Sequence, residues 1–172
     1  DQNGNHIDIR DYFKSHGELK HDTQRDAVYT KMLSESIVKA FKRNNVALPE
    51  HVIAYAAFKL FQAKHHTSDL YSVLRMPEEF RELTHEELKT AVRKVVKELT
   101  KLEHKEEIRV DPIVKAEDLD EVIDYAIKKL GVYHAKRPLL KNKKNGMIKC
   151  QDMKLLLFYH NRLEGYGLEK HV

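Results

Sequence analysis

The chain has one cysteine, four prolines, six glycines and no tryptophan among 172 residues, and each shortage excludes a class of protein. A single thiol, Cys150, rules out an internal disulfide and every zinc site built on several cysteines. It permits a reducing compartment. So little proline and glycine excludes collagen-like and low-complexity sequence. With 41% apolar and 34% charged residues, the composition suits a packed core rather than a disordered tail. No apolar run approaches the roughly 20 residues that a spanning helix needs. The most apolar stretches, residues 52–58 and 155–159, are short, and nothing reads as a signal peptide. Dense positive charge is also missing. Lys and Arg number 31 against 27 Asp and Glu, a net charge of +4, far from the basic stripe of a dedicated nucleic-acid binder. Gly4, Gly17, Gly131, Gly146, Gly165 and Gly167 never fall into a phosphate-cradling pattern.

What is present is helical periodicity. A chain of this length is about one domain and buries roughly 70% of its unfolded surface. It begins with Asp1 rather than Met, which reads as a piece of a longer protein. Residues 1–21 are polar and turn-rich, with one short alternating stretch at His6-Ile7-Asp8-Ile9. They read as an arm or a linker from an upstream domain, and residues 22–172 as one helical domain. Val28, Met32, Leu33, Ile37, Ala40 and Phe41 recur at three- and four-residue steps and predict a helix with one apolar face. Pro49 then opens a second helix where its missing N–H costs nothing. Its stripe of Val52, Ile53, Ala56, Ala57, Leu60 and Phe61, widened by Tyr55 and Phe58, makes it the most buried helix.

Residues 68–74 read as a short helix or turn. Thr84-His85-Glu86-Glu87 is a capping box opening a helix with Leu88, Val92, Val95, Leu99 and Leu102 inward. Ile108-Arg109-Val110 is a short strand. Asp118 starts another helix that Gly131 stops. A hairpin is expected around Asn145-Gly146, and a last helix over residues 152–164. The expected fold is mainly α: about five main helices with a short strand and a small β-hairpin, winged-helix-like in the middle.

Several constellations carry chemistry on paper. Among the eleven histidines, His65-His66 with Asp69 is the tightest group. Adjacent residues on a helix end diverge, so a solvated terminus suits them better than a zinc ligand set. Cys150 has no activating base and reads as a buried, inert thiol. The capped helix followed by the strand at 108–110 reads like a recognition helix and its wing. Its outward Lys89, Arg93, Lys94, Lys97 and Lys101 could meet phosphates. Glu86, Glu87, Glu98 and Glu103 share that helix, a mixture that suits a solvated, ion-paired face.

The most distinctive block is residues 152–169, containing Phe158-Tyr159-His160-Asn161-Arg162-Leu163-Glu164-Gly165-Tyr166-Gly167. Together with Leu130-Gly131-Val132-Tyr133-His134-Ala135-Lys136-Arg137-Pro138 it resembles the C-terminal end of bacterial glycerol-3-phosphate acyltransferases. Residues 24–30, 44–54 and 70–77 are similar, in order, to the stretch after the catalytic core of that family. The resemblance implies an enzyme that acylates glycerol 3-phosphate to lysophosphatidic acid in phospholipid biosynthesis, peripheral at the cytoplasmic face of a membrane. It implies as partners the upstream catalytic domain, acyl-carrier protein or acyl-CoA, and an anionic membrane surface. This chain would then be the accessory helical domain, covering an acyl-chain cleft or bracing the catalytic domain.

The chemistry of that family needs a His followed five positions later by Asp, the His taking the proton of the attacking hydroxyl. It also needs a Glu-Gly-x-Arg-like block to grip phosphate. His6 with Asp11 and His21 with Asp26 have the first spacing, but two such matches are close to chance in this composition. Glu164-Gly165 is followed by Tyr166-Gly167 and lacks the Arg. No catalytic residue, cofactor site or metal ligand is therefore assigned. Asn161 and Arg162, beside the Gly-Tyr-Gly turn, are the expected interdomain contact. Lys136 and Arg137, with Lys141, Lys143, Lys144 and Lys149, form a basic cluster suited to anionic lipid or an acidic carrier. A winged-helix nucleic-acid-binding module and a pure protein-interaction domain are the alternatives.

Overall fold

The computed structural model describes residues 23–66 and 69–170. The arm at 1–21, with its expected strand and both His/Asp pairs in whole or part, lies outside the described residues. The chain falls into two compact units, residues 1–41 and 42–172. Six α-helices and five short strands follow one another among the described residues: α1 (Thr23–Asn44), β1 (Val46–Ala47), α2 (Pro49–Lys64), α3 (Leu70–Leu74), β2 (Glu82–Leu83), α4 (His85–His104), β3 (Arg109–Val110), α5 (Leu119–Lys129), β4 (Leu139–Lys141), β5 (Ile148–Cys150) and α6 (Met153–His160). The expected mainly helical fold with its hairpin is what forms.

The first unit is described by α1. It carries the expected apolar face, on which Val28, Tyr29, Met32, Leu33, Ile37, Val38 and Phe41 are between 54% and 69% exposed. A regular three- and four-residue spacing establishes that a helix has an apolar face, not that anything lies against it.

In the second unit the core is built around α2. Val52, Ile53, Ala54, Tyr55, Ala56, Ala57, Phe58 and Phe61 are all fully buried, and α4, α5 and α6 pack against it. Ala54, Ala56 and Ala57 make this possible, because the spacing of packed helices depends on the side chains at the contact. Its start is set by Pro49 and by His51, whose Nδ1 accepts the Leu48 N–H at 3.3 Å. The α4 cap forms as the sequence predicts. Thr84 Oγ1 accepts from the Glu87 N–H at 3.1 Å, and Glu87 Oε2 accepts from the Thr84 N–H at 2.7 Å.

Three short strands form one antiparallel sheet in the order β2-β5-β4. Leu139 pairs with Cys150 and Lys141 with Ile148, while Leu83 pairs with Ile148 on the other side. Gly146, at φ 71°, turns the hairpin. Read as α2-β2-α4-α5-β4-β5, with the first strand beside the last, this is winged-helix connectivity. The parts differ from those expected. The strand at 109–110 is no wing, because it pairs in parallel with Val46–Ala47. The wing position belongs to the hairpin of β4 and β5, and the third helix is α5 rather than α4.

The last helix also stops short of its expected end. α6 finishes at His160, and residues 161–164 continue in turns that carry Leu163 into the core. At Gly131 the expected stop is sterically required. Its φ is 75°, and a Cβ there would sit 2.6 Å from Pro138 Cδ.

Because residues 51–58 and 61 of α2 are buried, truncating a large side chain there should be among the most damaging changes available. Phe61→Ala is expected to cost about 3–5 kcal/mol of unfolding free energy, measured by urea denaturation. The exposed Tyr133→Ala in the same experiment should stay within about 0.5 kcal/mol of the parent.

Candidate functional site

Asn161 and Arg162 sit where α6 ends, and the turn they begin closes onto the start of α2. Asn45 Nδ2 donates to the Arg162 carbonyl at 2.9 Å and to the Tyr166 hydroxyl at 3.1 Å. Tyr166 in turn donates to the Lys42 carbonyl at 3.0 Å, and Lys42 Nζ donates to the Gly165 carbonyl at 2.6 Å. Lys42 also lies 5.5 Å from the Tyr166 ring centroid, within cation–π range. Arg162, Gly165 and Tyr166 are thus tied to Lys42 and Asn45, more than a hundred positions earlier in the chain.

Behind this clasp lies a buried aromatic cluster. The His160 ring stacks on Tyr55 with centroids 4.8 Å apart and planes at 3°, and it meets Phe58 at 4.6 Å. Glu164 Oε2 approaches His160 Nε2 to 3.1 Å. The nitrogen nevertheless has no aligned hydrogen bond among the described residues. Lys59 lies 3.5 Å from the same carboxylate and 5.4 Å from the Tyr55 ring centroid. Burial lowers the pKa of His160, and burial, then the charge of Glu164, raises that of Tyr55. Tyr55 Oη is itself buried without a hydrogen-bond partner among the described residues. With His160 only 3% exposed, the cluster offers no imidazole to an incoming substrate. Its chemistry is structural.

His51 faces the same clasp from α2. Burial, then the positive charge of Arg162, lowers its pKa from 6.5 to about 4, although a backbone hydrogen bond at Val46 acts the other way. A second polar knot joins α4 to α5. Asp120 accepts from Lys89 and from His85, each at 2.7 Å, and those two hydrogen bonds pull its carboxyl down to about 2. Lys89 is therefore engaged by Asp120 and withdrawn from the basic stripe read on α4, and Lys101 pairs with Glu98 at 2.7 Å.

The other expected contact residues lie elsewhere. Lys136 and Arg137 are exposed in the loop between α5 and β4. No hydrogen bond or ion pair among the described residues joins them to Asn161 or Arg162. Of the basic cluster, Lys141 pairs with Asp124 and Lys149 with Glu78, while Lys143 and Lys144 are exposed at the hairpin tip.

Open hollows flank α4. One of about 460 Å³ is lined by Lys89, Arg93, Glu117, Asp118 and Leu119, and another of about 420 Å³ includes Leu60, Thr84 and Thr90. Both are open to solvent; the first is lined mainly by polar surface and the second mainly by apolar surface. His65 Nε2 donates to the Phe80 carbonyl, 3.2 Å away, and Asp69 caps α3 through the Ser72 N–H. No group of three metal-ligating side chains occurs among the described residues. Cys150 is buried, and burial raises its thiol to about 12.

Of the expected interdomain pair, Arg162 enters the clasp through its carbonyl and Asn161 Oδ1 lies 3.2 Å from His160 Nδ1, while Lys42, Asn45, Tyr55, Lys59 and Tyr166 were not anticipated there. Asn45 reads locally as a helix terminator, and no local pattern announces a partner over a hundred residues away. No family model, curated protein or solved structure matches the chain.

The lowered pKa of His51 sets a pH dependence. Above pH 6.5 the ring is neutral in both folded and unfolded chains. Between 6.5 and about 4 only the unfolded chain takes up the proton, so stability falls with falling pH across that window. His51→Gln keeps a side chain able to serve as the N3 partner of a capping box and removes the titration. Its unfolding free energy, followed by urea melts across the window, should fall less steeply with falling pH than the parent's.

Proposed function

We propose that the chain is the C-terminal accessory domain of a glycerol-3-phosphate O-acyltransferase. In this reading the parent enzyme transfers an acyl group from acyl-carrier protein or acyl-CoA to the first hydroxyl of glycerol 3-phosphate, forming lysophosphatidic acid. It works as a peripheral protein at the cytoplasmic face of a membrane. The observation that carries the reading is the final block, residues 152–169, and its partner blocks at 44–54 and 130–138.

The geometry agrees with an accessory role for those blocks. The 161–167 turn and residues 42–45 meet in the hydrogen-bonded clasp, and the conspicuous His160 is buried behind it. These residues brace a domain rather than act on substrate. The upstream catalytic domain is the partner in this reading, and acyl transfer belongs to that partner.

A nucleic-acid-binding module is the second reading, favoured by the winged-helix connectivity. The charge of the third helix opposes it, because Asp118, Asp120, Glu121 and Asp124 crowd the start of α5 where a reading helix would meet phosphates.

The test is the reading frame upstream of Asp1. It should encode a His-x-x-x-x-Asp pair followed by an Arg-bearing Glu-Gly block, and the full product should form lysophosphatidic acid from glycerol 3-phosphate. The 172-residue chain alone should not. An initiator codon a few residues before Asp1, or a full-length product without acyl transfer, would refute the proposal. Duplex titration at two salt concentrations then decides the second reading, since phosphate contacts make log K fall steeply with salt.

A further inference from the structure

Charge is unevenly divided along the second unit. Residues 131–150 carry six Lys and Arg and no Asp or Glu. Four of the six, Lys136, Arg137, Lys143 and Lys144, are exposed and have no ion pair among the described residues. The same loop leaves Tyr133 96% exposed, and α6 leaves Phe158 62% exposed. His134, next to Tyr133 in the chain, meets the rings of Phe158 and Tyr159 edge-on at 6.4 and 6.1 Å. Lys154, exposed one turn before Phe158, lies on the same side of α6.

We infer that the exposed side chains of Tyr133, Phe158, Lys136, Arg137 and Lys154 dock this part of the domain onto an anionic lipid bilayer. A single occupant has to match both kinds of side chain. An anionic bilayer places negative headgroups against the cations and apolar depth beneath the rings, and interfacial aromatics with flanking Lys and Arg fit that boundary. The projecting Tyr133 suits a yielding surface, and neither hollow beside α4 includes any residue of this patch. Nucleic acid would match the cations and stack on the rings, but its docking through the third helix is opposed by the acidic start of α5. The inference rests on the function proposed above in taking the anionic partner to be a membrane, and it assigns that contact to particular side chains.

The experiment is sedimentation of the 172-residue chain with vesicles of phosphatidylcholine alone and of phosphatidylcholine mixed with phosphatidylglycerol, at low and high salt. Binding should require the anionic lipid and weaken with salt. Each cation near the surface contributes about fivefold, so Lys136→Glu with Arg137→Glu should weaken partitioning by at least about 25-fold. Tyr133→Ser with Phe158→Ser should weaken it by about tenfold, from the apolar area no longer buried. All four side chains are exposed, so the thermal midpoints of both variants should match the parent's.

No binding to anionic vesicles, or binding indifferent to lipid charge, would overturn the inference. So would binding that survives both variants and is lost instead in Leu33→Glu with Phe41→Glu on the exposed face of α1. Equal or tighter binding to single-stranded DNA or to acyl-carrier protein, abolished by the same loop variants, would also overturn it. Vesicle binding needs no catalysis, so its failure leaves the acyl-transfer assay standing, and failure of that assay leaves a vesicle result intact.

Discussion

The constraint on which the second unit depends is the enclosure of α2. A helix with Val52 through Phe58 fully buried has no solvent face, so its neighbours must supply cover on every side. α4, α5 and α6 do so, and each is shaped by that duty. α4 gives up one stripe, Leu88, Ala91, Val92, Val95 and Leu99, and keeps charge elsewhere. α6, only eight residues long, places Met153, Leu156 and His160 inward. An imidazole is accommodated there because Tyr55 stacks on it and Phe58 packs against it at a tilt, and burial lowers its pKa, disfavouring the charged form.

Closing the ends of that core takes polar interactions of long sequence separation. Asn45 and Tyr166 join the beginning of the unit to its end, and Glu103 bridges α4 to the segment after it by accepting from the Val110 N–H at 3.1 Å and pairing with Lys115 at 2.9 Å. Exposed ion pairs contribute little individually. The buried hydrogen bonds of Asn45 matter more, since an amide so placed and left unpaired costs the full desolvation of the group. The residues most conspicuous in the sequence, the Asn-Arg and Gly-Tyr-Gly of the last block, thereby acquire a physical role as the closing turn of the domain.

The surface divides along the same architecture. Acidic side chains gather at the start of α5, where they cap the helix and hold Lys89, His85 and Lys141. The loop and hairpin that follow are free of acid, and two of their cations are bound by those neighbours or by Glu78. What remains outward is a basic rim beside two exposed rings. Net charge alone, at +4, conceals this division because it averages over the faces that the fold separates.

Read along the chain, the sequence by itself determined the helices, their starts and the hairpin. Those features depend on neighbours within a turn: Pro49, the Thr84 and Glu87 box, Asp118 and Asp152 as caps, Gly131 and Gly146 at positive φ. Tertiary structure decided what each face meets. Only the fold placed the strand at 109–110 beside 46–47 rather than in a wing, ended α6 at His160 so that Leu163 reaches the core, and left the regular apolar face of α1 exposed. Capping and periodicity are short-range and are written in consecutive residues. Pairing, burial and the clasp of Asn45 on Tyr166 depend on which distant segments come to lie together, and no local spacing encodes that choice.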